Sequence, residues 1–380
     1  MEKKVNIHAI SENCINGMLQ GWFLNAVVNY EQVKNALNEE KAFDLAKLLG
    51  KYDGVPAMVI GSGPTLIPCL PYIKKWKDKT GGKIYCGLSN INILMTAGIK
   101  PDFLNIYDIR DTHKDPAFGI ESAPEGYYDG IPMITSPEYD SEFIRYWMEV
   151  RKNPIYFHLR LTGGGDNAFY LFYLKNLLPM AYYHSPELKH NISAGIYNVG
   201  CVANHELITA AYMGCDPIYL CGVNFGYPMK NDIHVSPMIY KGGKWVKSDY
   251  LADWKKNGVS DKEKENQFIG DNGVLTDSVC VMYKHAAIIS WARLRADIYE
   301  ASVNNLWGIL DIIPKVDMRK VASGKAILER VSRADREKRI NVYRKKHNYQ
   351  EIPWSDGEIA IPIEDDGVTH NRIDEAPKLE

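Results

Sequence analysis

The sequence predicts an α/β protein built on a doubly wound, mostly parallel, Rossmann-like sheet with helices on both faces. Two observations carry that expectation. From residue 55 onward, short runs rich in Val, Ile, Leu and Tyr recur, apolar almost throughout rather than alternating, as strands buried on both faces must be. Between them lie stretches whose apolar residues recur at three and four positions, the helical period. Strand and helix patterns that alternate in this way indicate an open parallel sheet covered on both faces.

Within residues 12–50 the pattern is helical: GMLQGWFLNAVVNYEQVKNAL, then NEEKAFDLAKLLG, with Asn38 placed to cap the second helix. The strands follow as AMVIG, KIYCGL, FLNIYD, IPMIT, PIYFHL and DPIYLCG. The helices between them are NINILMTAG, SEFIRYWMEVR, NAFYLFYLKNLL and CVANHELITAAYMG, the last ending at Gly214 as a C-cap glycine would. Beyond residue 222, MIYKGGKWVK alternates around a Gly-Gly turn and reads as a hairpin. QFIGDNGVLTDS reads as a second hairpin or a loop, SVCVMYKHAAIISWARLRA as an amphipathic helix and DIYEAS as one more strand. From about 315 to 347 basic residues predominate, and Ile327, Val331 and Ile340 stand at the spacing of a surface helix. The boundaries expected are an N-terminal helical segment over 1–50, a catalytic domain over 51–314, a basic helical extension over 315–350 and an acidic, disordered tail over 351–380.

Composition narrows the function. The chain has 380 residues, 46% hydrophobic and 24% charged, with a net charge of −2. That balance gives no bulk attraction to nucleic acid, so no nucleic-acid partner is expected. No apolar run approaches the roughly 20 residues that span a bilayer, and MEKKVNIHAISENC contains no secretory h-region. The seven cysteines form no C-x-x-C pair, which fits buried thiols in a reducing cytoplasm.

Open α/β sheets bind ligands beyond the carboxyl ends of their strands, at the point where strand order reverses. That rule brings four clusters to one rim: Gly61, Ser62, Gly63, Pro64 and Thr65 after the first strand; Leu88, Ser89 and Asn90 after the second; Asp108, Arg110 and Asp111 after the third; and Asn224, Phe225 and Gly226 after DPIYLCG, which ends in Gly222. The glycine turn suits backbone N–H groups that hold a phosphate. It also suits a merely tight strand-to-helix turn, in which Thr65 caps the helix. Its spacing is neither G-x-G-x-x-G nor that of a P-loop. Asp108 and Asp111 suit Mg²⁺ held through waters, a ribose contact or a turn cap. His234 in KNDIHVSP stands in a polar loop, as a general base or acid or as an exposed histidine without a role. Gly200 opens directly into a helix, another potential anion site. His205 shares a helix face with Cys201, Ile208 and Tyr212 and reads as a packing residue, and His158 has no identifiable partner.

Together these stretches resemble the MptE-like family. PAMVIGSGPTL is similar to the family's P-x-x-I-V-G-x-G-P-S-L, with Thr65 where serine is usual. LMTAGIKPDFLNIYD is similar to L-x-x-x-G-I-x-P-D-x-x-x-x-x-D, which puts Asp108 on the strand-end aspartate. VGCVANHELITAAYMGCDPIYLCGVNFGYP resembles G-S-V-A-x-x-A-x-x-L-A-x-x-L-G-x-x-x-I-x-L-x-G-x-D-L, with Asn224 where aspartate is usual. NDIHV resembles the histidine-bearing stretch that follows, and DNGVLTDS the later G-x-x-V-x-T. The family includes archaeal 6-hydroxymethylpterin diphosphokinases and bacterial motility-associated-factor glycosyltransferases. The resemblance therefore implies a nucleotide-dependent transferase.

Two branches follow from it. The sugar-transfer branch implies a nucleotide-sugar donor of the CMP type held by the glycine turn, a hydroxyl acceptor, and His234 as base or acid. The diphosphokinase branch implies ATP and Mg²⁺ at Asp108 and Asp111, but YDIRDTH lacks that branch's D-x-D-G segment. A third expectation is a non-catalytic nucleotide- or glycan-binding module that meets a protein partner through the basic helix near 330.

Overall fold

The computed structural model describes residues 7–106, 118–161, 182, 187–190, 192–197, 200–226, 238–247, 267–269, 275–303 and 312–347. A single long helix, α1 (Ile7–Asn38), opens the chain. It buries Trp22, Ala26, Val33, Ala36 and Leu37 at helical spacing. Asn29 anchors it, its side-chain amide donating to the Pro137 and Tyr139 carbonyls at 2.7 and 2.6 Å. The second helix expected from NEEKAFDLAKLLG does not form as such. Ala42–Asp44 is strand β1, followed by a 3₁₀ turn over Leu45–Leu48 that Asp44 caps by accepting from the Ala46 amide. Pairing with a distant strand overrides the local helical pattern there. Asn38 ends α1 instead of capping a second helix, and its side chain binds the Glu187 carbonyl and the Lys189 amide.

The apolar runs form the strands expected, β2 (Ala57–Ile60), β3 (Lys83–Cys86), β4 (Phe103–Asn105), β5 (Met133–Thr135), β6 (Ile155–Phe157) and, further on, β9 (Ile218–Cys221); between the last two lie β7 (Leu159–Leu161) and β8 (Gly195–Tyr197), not among the expected strands, which pair in a small sheet of their own. Between them run α2 (Leu66–Thr80), α3 (Leu88–Thr96), α4 (Ser141–Arg145), which continues as a π turn over Tyr146–Val150, and α5 (Val202–Tyr212). Gly214 lies at φ +86°, the left-handed stop expected after α5. MIYKGGKWVK is the hairpin β10 (Met238–Lys241) with β11 (Lys244–Lys247), and β12 (Gln267–Ile269) pairs antiparallel with β13 (Leu275–Asp277). α6 (Ser278–Arg293), β14 (Ile298–Ser302), β15 (Lys315–Asp317), α7 (Met318–Ser323) and α8 (Arg333–His347) complete the described elements. NAFYLFYLKNLL and the acidic tail lie outside the described residues.

Nine strands form one sheet in the order β1-β6-β5-β4-β3-β2-β9-β14-β15, every neighbouring pair parallel. Alternate strand residues face two cores, one holding Met58, Ile60, Ile84 and Tyr219, the other Ala57, Val59, Tyr85 and Leu220. Helices cover both faces, so the sheet is doubly wound and Rossmann-like. The chain walks from β2 outward to β6, then returns to the other side of β2 with β9. Strand order therefore reverses between β2 and β9.

The basic segment differs from its expected form. Ile327 is 96% exposed in an irregular stretch before α8, whereas Val331 and Ile340 are buried. Arg336 holds α8 in place. Its guanidinium is 4% exposed and donates to the carbonyls of Trp291, Leu294 and Ala296 at the end of α6, to the Val331 carbonyl and to Asp297. A cation on the orphan carbonyls of a helix C-terminus is favourable on both hydrogen-bonding and dipole grounds. Among the described residues no helix is long and apolar enough to cross a membrane. Six cysteines there are free thiols, four of them buried.

Candidate site at the sheet switch point

The register of the three central strands levels their carboxyl ends. Ile60 of β2 pairs with Cys86 of β3 on one side and with Cys221 of β9 on the other. Each of these three residues is followed by a glycine: Gly61, Gly87 and Gly222. A Cβ on Gly222, which sits at φ +75°, would overlap the Gly61 carbonyl oxygen, and one on Gly61 would lie 2.8 Å from the Gly222 carbonyl carbon. A Cβ on Gly63 would overlap the Asn224 side chain and lie 2.5 Å from the Gly222 oxygen. The two loops thus lie closer than any side chain permits.

Hydrogen bonds lock that approach. The Gly61 N–H donates to the Cys221 carbonyl at 2.8 Å and the Gly63 N–H to the Gly222 carbonyl at 2.6 Å. Thr65 donates from its hydroxyl and its amide to Asn224 Oδ1, at 2.9 and 3.3 Å. It makes no side-chain cap on α2, the other use that its position allowed. The glycines of this turn therefore serve contact between two segments of the chain, and their amides are committed to it. What the turn offers outward is half-buried Ser62 and Gly63, with Pro64 beside them.

Ser62 carries the link to the next strand. Its hydroxyl shares a hydrogen bond with Ser89 Oγ at 2.7 Å and donates to Asn90 Oδ1 at 3.0 Å; Asn90 in turn donates to the Ile60 carbonyl. Seven of the expected residues on the β2 and β3 loops and two on the β9 loop are thereby brought together. Gly200, at φ +89°, packs against the Tyr283 ring ahead of α5. The N-terminus of that helix reaches the rim through Val202, whose side chain meets Gly87. Asp108, Arg110, Asp111 and His234 lie outside the described residues.

The helix starts at this rim differ from those elsewhere on the sheet. Asp44, Asp140 and Asp317 each cap the turn or helix after an outer strand. Neither α3 nor α5 has a side-chain cap or an acidic residue in its first turn. At α5 the Cys201 thiol lies beside the Ala203 and Asn204 amides, a weak acceptor without capping geometry, and burial pushes it up to about 12. The first amides of a helix have no partner within it and carry the positive end of its dipole. At α3 the Asn90 and Ile91 amides turn back to the Gly87 carbonyl, at 3.1 and 3.2 Å.

Two features escaped the sequence reading. Glu206, on the second turn of α5, is 1% exposed and accepts from the Ile60 amide at 3.3 Å. Burial holds its carboxyl well above the usual carboxylate range, the Ile60 amide opposing that shift. The cue was a lone carboxylate in a helix with no other charged residue, VANHELITAAY. The second feature is a buried histidine pair, His205 Nε2 to His158 Nε2 at 2.8 Å. His158 Nδ1 lies 3.2 Å from the Leu159 carbonyl, which accepts, so the His158 Nε2 of a neutral ring accepts from His205. His205 Nδ1 then accepts from the Asn105 side-chain amide, which also binds Thr209 Oγ1. Desolvation pulls His158 down to about 3 and His205 well below its usual value, so both rings are neutral. His205 is indeed a satisfied core residue, and His158 is its partner.

Residues 30–230 match a family model described as 6-hydroxymethylpterin diphosphokinase MptE-like. A solved structure similar to this chain is that of the MAf glycosyltransferase from Magnetospirillum magneticum AMB-1, at 14% sequence identity and a TM-score of 0.45, covering 83% of this chain and 45% of that one. This chain thus spans less than half the length of that protein. No curated protein matches. The family match takes in more than half of the chain and every described residue of the switch-point rim, and the chain belongs to the MptE-like family.

Proposed function

We propose that this chain is a nucleotide-dependent transferase that passes a sugar from a nucleotide-activated donor of the CMP type to a hydroxyl acceptor. The observation that supports this reading best is the rim itself. The loops after β2, β3 and β9 meet at the switch point, with the hydroxyls of Ser62 and Ser89 and two uncapped helix starts on its open side. Such a site suits a phosphate beside a ribose.

In the reaction the acceptor oxygen attacks the anomeric carbon, and the bond from that carbon to the donor phosphate breaks. The electron pair leaves with the nucleotide. His234 takes the acceptor proton in this scheme, and Asp108 orients the donor. Fixed N–H dipoles at α3 and α5 stabilise the charge that develops on the leaving phosphate and need no reorganisation to do so. A cytoplasmic location belongs to the same reading.

The family description favours a second reading, pyrophosphoryl transfer from ATP to a pterin-like alcohol. Mg²⁺ at Asp108 and Asp111 belongs to that one. Among the described residues the rim offers hydroxyls, amides and one carboxyl, Glu206. A thermal-shift panel of CMP, CDP, UDP, GDP, ADP and ATP, each with and without Mg²⁺, separates the two. A metal-independent shift with CMP supports sugar transfer. A shift confined to ATP with Mg²⁺ replaces it with the second reading, and no shift with any nucleotide refutes both.

A further inference from the structure

The hydroxyls of Ser62 and Ser89 meet at 2.7 Å at the switch point, and both side chains are half-buried. The distance alone does not say which of them donates. Asn90, 3% exposed, decides it. Its Nδ2 donates to the Ile60 carbonyl at 2.9 Å, and a flipped amide would set two acceptor oxygens face to face there. Oδ1 is therefore the atom 3.0 Å from Ser62 Oγ, and a carbonyl oxygen only accepts. The single proton of Ser62 goes to Asn90, so Ser89 must donate its own single proton to Ser62. Every proton in the chain from Ser89 through Ser62 and Asn90 to Ile60 runs inward. What the pair has left is acceptor capacity: both lone pairs of Ser89 Oγ and one of Ser62 Oγ, with no further partner among the described residues.

We propose that the Ser62–Ser89 pair selects ribonucleotides, with Ser89 Oγ accepting a hydrogen bond from a ribose hydroxyl of the bound nucleotide. The inference rests on the reading of the rim as a nucleotide site and names the part of the nucleotide that this pair reads. A phosphate oxygen would set its own lone pairs against those of the serines, so the phosphate lies elsewhere on the rim. Two neutral oxygens are also a poor shell for a divalent cation, which takes about six oxygen ligands, carboxylates usually among them. A sugar hydroxyl supplies the missing proton. An analogue without that hydroxyl leaves a half-buried acceptor open, the kind of mismatch a polar site rejects best. Asn90 is a positioning residue, since it acts through the serines by fixing the direction of both hydroxyls.

Calorimetric titration of the full chain with CMP analogues tests this, with the same series built on ATP with Mg²⁺, so that either nucleotide can report. At the 2′ and then the 3′ position the hydroxyl is replaced by hydrogen, by fluorine, which carries no proton, and by an amino group, which does. At one of the two positions the deoxy and fluoro analogues bind about five- to tenfold more weakly than the parent, the loss expected for one neutral hydrogen bond. The amino analogue binds within about twofold of the parent. Ser89→Ala binds the parent as weakly as wild type binds the deoxy analogue, and no longer distinguishes the two. A merely structural role for Ser89 would weaken both alike and leave their ratio unchanged.

An unchanged ratio in Ser89→Ala overturns the proposal, as does a wild-type chain that binds the fluoro analogues as tightly as the parent. Should Ser89→Ala fail to fold, the analogue series in wild type still decides. Nucleotide binding without preference for either hydroxyl refutes this inference and leaves the transferase reading standing. The expected preference in a chain that transfers no sugar from a CMP-type donor does the reverse, and no binding of any nucleotide refutes both.

Discussion

Replacing Gly222 by alanine measures what holds the two central loops together. Gly222 lies at φ +75°, and a Cβ there meets the Gly61 carbonyl oxygen, with the Gly61 carbon at 3.0 Å and Leu66 Cβ at 3.1 Å. The left-handed backbone alone costs an alanine about 1–2 kcal/mol. The overlap is with main chain, which no rotamer change relieves, so the β2 and β9 loops must part. That strains the Gly61 N–Cys221 O and Gly63 N–Gly222 O bonds, and overpacking of this kind costs about 1–3 kcal/mol more. The expected loss is therefore about 2–5 kcal/mol. Gly81→Ala is the control, since Gly81 caps α2 at φ +64° with nothing within 4 Å of its missing Cβ. It carries the backbone cost alone. Guanidinium unfolding followed by tryptophan fluorescence reads both variants. A Gly222→Ala loss no larger than that of Gly81→Ala would falsify the account of the glycine turn as a contact between two loops.

Arg336→Met strands the last carbonyls of α6 and Asp297, and we expect a loss of about 3 kcal/mol with faster tryptic cleavage in the basic segment; unchanged proteolysis would argue that α8 is held by its apolar face alone. Glu138→Leu leaves the Arg160 guanidinium without its buried partner at 3.0 Å, a loss of about 3–5 kcal/mol. The double variant with Arg160→Met should recover part of that loss, and simple additivity of the two would refute the pairing. The neutral histidine pair makes stability depend on acid. Both rings have lowered values in the folded chain against about 6.5 unfolded, so their contribution is complete above pH 6.5 and drains as pH falls towards 3. The slope is up to about 1.4 kcal/mol per pH unit for each ring. His158→Gln/His205→Gln should flatten it in denaturation experiments at pH 7.5 and 5.5, and equal slopes would count against the neutral pair.

The strands were legible because burial on both faces writes itself as an unbroken apolar run, and AMVI, KIYC and IYLC fall where that pattern puts them. Ala42–Asp44 was not. Its local period is helical, and only its pairing with residues 155–157 makes it a strand. Ile327 misled for a related reason: helical spacing continued past the point where packing against α6 ends. At the site, the glycines were visible but their reason was not. A glycine required by a ligand and one required by another loop look identical until the second loop is placed. The histidine pair joins positions 47 apart through a single nitrogen contact, and no periodicity announces such a meeting.

The return of the chain to β2 also sets an order of assembly. β2 pairs with β3 soon after both are synthesised, but its other edge waits for β9, whose Ile218 lies opposite Ala57, about 160 residues later. At a ribosomal rate of about 5–20 residues per second, that edge of the future central strand stays unpaired for about 8–30 s. Throughout that interval the nascent chain presents a short, wholly apolar row of open amides and carbonyls, the kind of edge that recruits other chains. The feature that creates the switch point thus makes the growing polypeptide a natural client for chaperones until β9 emerges.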